Sequence, residues 1–141
     1  MPTSDDLLHL LRTWGRQPSR EVVARLRISR ATLMRAVQSS GTEVISLGRG
    51  RRAAYAARRP VRNRQAPLPL YRIDESGQAH EVATLAALHP HGCGLQWKEP
   101  SPWPLDAEMA DGWFDGLPYF LDDLRPQGFL GRGFVGRHPA L

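Results

Sequence analysis

The sequence predicts an α+β chain in two parts: three short helices and a β-hairpin over residues 1–60, then a small α+β module over 70–141. Three observations lead there. Apolar residues recur at helical spacing three times before residue 40, two strand-like runs then flank an arginine-loaded turn, and the charge is divided by position. Residues 1–68 carry fourteen arginines and no lysine against Asp5, Asp6, Glu21 and Glu43, a net of +10. Residues 69–141 carry five basic against ten acidic side chains, a net of −5. An arginine-rich genome explains arginine in place of lysine, since Lys98 stands alone, but not this segregation. A basic half beside an acidic half points to a polyanion-binding module joined to something else.

The elements follow in order. Ser4, Asp5 and Asp6 open a helix whose Leu7, Leu8, Leu11 and Trp14 share a face. Gly15 and Pro18 punctuate, and Ser19 stands as the cap of a second helix with Val22, Val23 and Leu26 on one side. Ser29 caps a third helix, Arg30 to Ser39, stopped by Gly41. Leu33, Ala36 and Val37 form its inner face, with Arg30, Met34, Arg35 and Gln38 opposite. The strand-like runs 43–47 and 53–57 enclose "GRGRR" at 48–52 as a hairpin tip. Residues 61–69, proline-bearing and without apolar period, read as a linker.

Beyond it, "LYRID" and "HEVATLAAL" flank the turn "ESGQ" as a hairpin, with a helix as the alternative for the last segment, and "HPHGCGLQW" adds a strand after a turn. "KEPSPWPL" reads as a loop, and the stretch from Asp106 onward as mostly helix and loop. Apolar residues make up 41% of the chain, enough for a buried core and too many for a disordered tail. No run suits a membrane span or a secretion signal. Cys93 is the only cysteine, which excludes an internal disulfide and fits a cytoplasmic protein.

Three helices followed by an arginine-tipped hairpin are the parts of a winged helix-turn-helix. Within residues 23–37, "VARLRISRATLMRAV" resembles the helix-turn-helix of bacterial repressors. Leu26 and Ile28 match the apolar pair around the turn, and Ser29, Arg30, Thr32, Leu33 and Arg35 match the opening of the recognition helix. Arg27 departs from that pattern, standing where glycine is usual, and so has to accept a positive φ or a different turn. The expected partner is double-stranded DNA. Ser29 and the helix N-terminus would contact phosphate, and Arg30, Arg35 and Gln38 base edges, with Thr32 serving either role. Arg49, Arg51 and Arg52 at the hairpin tip would follow the backbone or enter a minor groove. Arg58, Arg59, Arg62 and Arg64 would extend the footprint. A homodimer would suit paired half-sites. The competing reading is an interaction module, in which the helical domain docks protein and its basic face is a solvated one.

In the second half, "FLDDLRPQG" (120–128), after "GLPYF", resembles the "FFDNLLP"-like segment of the N-terminal subdomain of HipA-family serine/threonine kinases. Phe120, Leu121, Asp122, Asp123, Leu124 and Pro126 match position by position, with Asp123 for Asn and Arg125 for Leu. The preceding hairpin resembles that subdomain's β-meander. The resemblance implies a toxin–antitoxin setting and contact with a kinase core, in cis or in trans. It also implies that ATP-binding, catalytic and metal-binding residues lie beyond this chain, which on its own is not a complete kinase; a fragment of a longer enzyme is the alternative. No catalytic residue, cofactor or metal is expected. "GRGFVG" (131–136) lacks the strand–helix setting of a nucleotide loop. His89, His91 and Cys93 offer three ligands where structural zinc takes four in separated pairs. Asp122 and Asp123 are adjacent, so they diverge on a helix and read as a solvated or partner-facing patch. The aromatics crowding this half, from Trp97 to Phe134, read mostly as core, with an apolar patch for a partner as the alternative.

Overall fold

The computed structural model describes residues 3–124. It is mixed α+β, with four helices and two antiparallel sheets among the described residues. Helix α1 (Ser4–Trp14) leads into a two-residue strand β1 (Gln17–Pro18), then α2 (Ser19–Leu26) and α3 (Arg30–Ser39). Strands β2 (Val44–Leu47) and β3 (Ala54–Ala57) form a hairpin, and β1 pairs with the outer side of β3 to give the order β1-β3-β2. The second sheet, in the order β4-β5-β6-β7, comprises β4 (Leu68–Ile73), β5 (Ala79–Ala87), β6 (Cys93–Trp97) and β7 (Trp113–Phe114). Helix α4 (Ala107–Asp111) precedes β7, and a 3₁₀ segment, Tyr119–Leu124, follows it. No helix among the described residues is long and apolar enough to cross a membrane.

Three sequence expectations shift by a residue or a partner. The cap of α1 is Thr3 rather than Ser4: the Thr3 amide donates to Asp6 Oδ2 at 2.6 Å, which also holds the Asp6 carboxyl below its ordinary value. Ser19 is the first residue of α2 rather than its cap, because β1 pairing draws the Ser19 amide to the Ala53 carbonyl at 3.2 Å. Trp113 and Phe114 form an edge strand on β6 inside a stretch read as helix and loop.

Arg27 resolves the question its identity raised. It takes the left-handed conformation, φ 53° and ψ 45°, at the end of α2. The Ile28 amide then reaches back to the Val23 carbonyl at 3.2 Å, the closing bond of a Schellman-type helix end. Arginine occupies that backbone well at a cost of about 1 kcal/mol, which glycine avoids while losing some chain entropy of its own. Arg27→Gly is therefore expected to raise stability by about 0.5 kcal/mol in urea unfolding, with unchanged m-value.

The two halves share a core. Leu7, Leu11, Val22, Leu33 and Tyr55 pack α1–α3 onto one face of the first sheet. The other face carries Ile45, Leu47, Ala54 and Ala56, buried against Ala86, Leu88 and Trp113 of the second sheet. Every residue of β3 is buried, since the strand has helices on one side and a sheet on the other. Its alanines let those layers approach. Backbone hydrogen bonds stitch the seam: the Arg59 amide to the Ala87 carbonyl at 2.7 Å, and the His89 amide to Ala57 at 2.9 Å. The exposed segment 60–67 is what remains of the expected linker. Beyond the seam, the far face of the second sheet carries Ala83, Cys93, Leu95 and Phe114, covered by Leu105, Met109 and Phe120. Phe120 stacks on Trp103 with ring centroids 4.1 Å apart, so this residue of the quoted motif is structural. At the β4–β5 turn, Asp74 accepts from the Ser76 hydroxyl at 2.6 Å and the Gln78 amide at 3.0 Å and meets His80 Nε2 at 2.6 Å. The Ser76 bond, then His80 and Gln78, hold its carboxyl far below the ordinary value.

Candidate nucleic-acid interface

The site is built from the start of α3, the start of α2 and the β2–β3 tip. Ser29 sits in extended conformation as the cap of α3, its hydroxyl accepting from the Thr32 amide at 3.1 Å. The two hydroxyls lie 2.9 Å apart, so Ser29 and Thr32 first hold the helix start and only then offer themselves to a ligand. Leu33 and Ala36 anchor the inner face. Arg30, Met34, Arg35 and Gln38 are all exposed on the outer one. Arg35 Nε lies 3.5 Å from the Ala31 carbonyl, a long contact that leaves the guanidinium facing solvent. Met34 receives the Tyr55 hydroxyl at 3.6 Å through its sulfur.

The hairpin tip turns back through a 3₁₀ turn, Gly50–Arg52. Gly48 makes that return possible: its φ is +83°, and a Cβ there would run into the Arg52 carbonyl. The three tip arginines then part company. Arg51 lines a groove of about 520 Å³ together with Arg30, Arg20, Ser19, Val23 and Gly50. Arg52 turns the other way, donating from Nε to Asp111 at 2.7 Å and from Nη2 to the Ala107 carbonyl. Arg49 faces the same side, in a cleft with Arg52, Gln96, Trp97 and Asp111.

The sequence-derived set is thus divided. Arg30 and Arg51 come together, Arg35 and Gln38 lie on the exposed face of the same helix, and Arg49 and Arg52 lie toward the second sheet. Arg20 joins the groove and was missed; the signal available was a basic residue in the first turn of a helix preceding the turn, a place that faces the same side as the next helix's start. The arginines after β3 do not form one stripe. Arg58 has its Nε buried with no partner among the described residues, and burial pushes its pKa down. Arg59 donates to the Leu88 carbonyl at 3.3 Å, while Arg62 and Arg64 stand in an exposed turn.

The remaining candidates are spread out. Cys93 is buried in β6, and burial raises its thiol pKa, so it stays protonated at neutral pH. His91 is exposed, and His89 packs near Arg12 and Arg59, where desolvation first and those charges second lower its pKa. Among the described residues no three His, Cys, Asp or Glu side chains gather to hold a metal. "GRGFVG", Arg125, Pro126 and the side chain of Asp123 lie outside the described residues; Asp122 is exposed.

Comparison with known proteins places the second sheet. Residues 64–141, beginning four residues before β4, match the family described as YjjJ-like toxin, middle domain. The chain belongs to the YjjJ-like toxin family. Toxin YjjJ of Escherichia coli (strain K12) is 39% identical over 120 residues, which cover 85% of this chain. That span exceeds the matched middle domain, so part of the helical unit is shared with the YjjJ toxin as well. The chain spans about a quarter of the length of that relative, 25%. No solved structure matches the chain.

Proposed function

We propose that residues 1–60 act as a winged helix-turn-helix that binds double-stranded DNA, with α3 in the major groove and the hairpin tip beside it. The second unit, in this reading, is a HipA-like subdomain that contacts a kinase core in cis or in trans, and the whole regulates a toxin–antitoxin operon. The element order α1-β1-α2-α3-β2-β3, with a three-stranded sheet closed by β1, supports the fold reading. The observation that carries the function is the groove in which Arg20 and Arg30 from two helices meet Arg51 from the hairpin. Guanidinium groups brought together from three elements, with no carboxylate lining the groove among the described residues, suit a run of phosphates. The name of the YjjJ toxin and the match to its middle domain support the toxin–antitoxin setting.

The test is fluorescence anisotropy of the full chain with a random duplex across salt concentrations. Contact with about five phosphates gives micromolar or tighter binding at low salt, and an affinity falling with a log–log slope of about −4 to −5. No binding at 50 mM salt removes the DNA reading and leaves the interaction-module alternative.

A further inference from the structure

Among the described residues, Arg52 is the one basic residue of the hairpin tip with an acidic partner, and that partner comes from the opposite half of the chain. The contact is two-point: Nε to the Asp111 carboxylate at 2.7 Å and Nη2 to the Ala107 carbonyl, both on α4. Asp111 is the more enclosed member, its side chain 24% exposed against 53% for Arg52. A second arginine of the helical unit is held by the same helix. Arg16 pairs with Glu108 at 3.2 Å and lies over the Trp113 ring, 5.3 Å from its centroid. Helix α4 thus supplies carboxylates to two guanidiniums of the basic unit, and Arg49 shares the cleft that Asp111 lines.

We propose that α4 is an intramolecular counterion that withholds Arg52, and with it one edge of the hairpin, from DNA, so that its displacement strengthens binding. This rests on the DNA-binding reading above and adds a regulation to it. The clasp on Arg52 is two-point, a carboxylate and a backbone carbonyl already in place, so it holds against a single phosphate, and removing the Asp111 charge tips the exchange toward the phosphate. A partner that docks on α4 would act in the same direction.

The experiment compares duplex affinity and salt slope for the wild-type 141-residue chain, Asp111→Asn, Arg52→Ala and the double variant, with urea unfolding to check that each is folded. Asp111→Asn is expected to bind about three- to eightfold tighter at 0.1 M salt, with a slope steeper by about one. Arg52→Ala alone leaves affinity within twofold of wild type, and the double variant loses the gain. As a readout independent of stability, the Arg52 Nε–H resonance of the wild-type chain keeps its chemical shift when duplex is added. Equal affinity of Asp111→Asn and wild type, or an Arg52→Ala chain as weakened as Arg51→Ala, overturns the inference while leaving DNA binding intact. A wild-type chain that ignores duplex at low salt overturns both.

Discussion

Replacing Arg30 and Arg51 together by alanine is expected to weaken duplex binding about 60-fold at 0.1 M salt and to flatten the log–log salt dependence by about two. The two side chains come from different elements but line one groove, so each is taken to neutralise one phosphate. One contact carries about eightfold at this salt concentration, and two independent contacts multiply. Both side chains are exposed and neither has a hydrogen-bond or ion-pair partner among the described residues, so unfolding by urea should move by less than about 0.5 kcal/mol. If Arg30 instead reads a base edge, its loss costs more on a specific site than on random sequence, by about 1–3 kcal/mol. Competition between the two duplexes, followed by anisotropy, separates those roles.

Trp113→Ala is expected to lower the stability of the whole chain by about 3–5 kcal/mol, the range for deleting a buried aromatic. Trp113 is 5% exposed and packs β7 against Ile45, Leu47, Ala54 and Ala56 of the first sheet. The loss should therefore reach both halves. Calorimetry of the wild type is expected to show one transition, shifted as a unit in the variant, because the seam is apolar and bonded through the backbone. The indole N–H is buried with no acceptor among the described residues. Trp113→Phe removes that donor and keeps a ring, so it should cost less than half as much. Two separate transitions in the wild type, with only the later half affected, would mean that the halves fold independently.

The legible parts of this fold were those fixed by local chemistry. Helix α3 reads straight from the sequence because Ser29 offers its cap and Gly41 its stop, with Leu33 and Ala36 a turn apart between them. The β2–β3 hairpin reads from two apolar runs around glycines. What sequence conceals is long-range. β7 is two residues long and sits among acids and glycines, so no period marks it. The seam depends on alanines that look the same whether one face or both are covered. The tip arginines are adjacent and identical in type, yet a carboxylate 59 residues away takes Arg52 while Arg51 turns to the helices. Charge segregation pointed to one basic face, and it held no sign that the acidic half would reach across to Arg16 and Arg52.

Backbone amide and arginine Nε–H shifts in the 141-residue chain, recorded while duplex DNA is added at low salt, bear most directly on the central claim of one nucleic-acid-binding face. Perturbations should gather at Arg20, Arg30, Arg35, Gln38 and Arg51, with β4, β5 and α4 unmoved. Shifts that fall mainly on the second sheet, or that stay absent at saturating duplex, would contradict it.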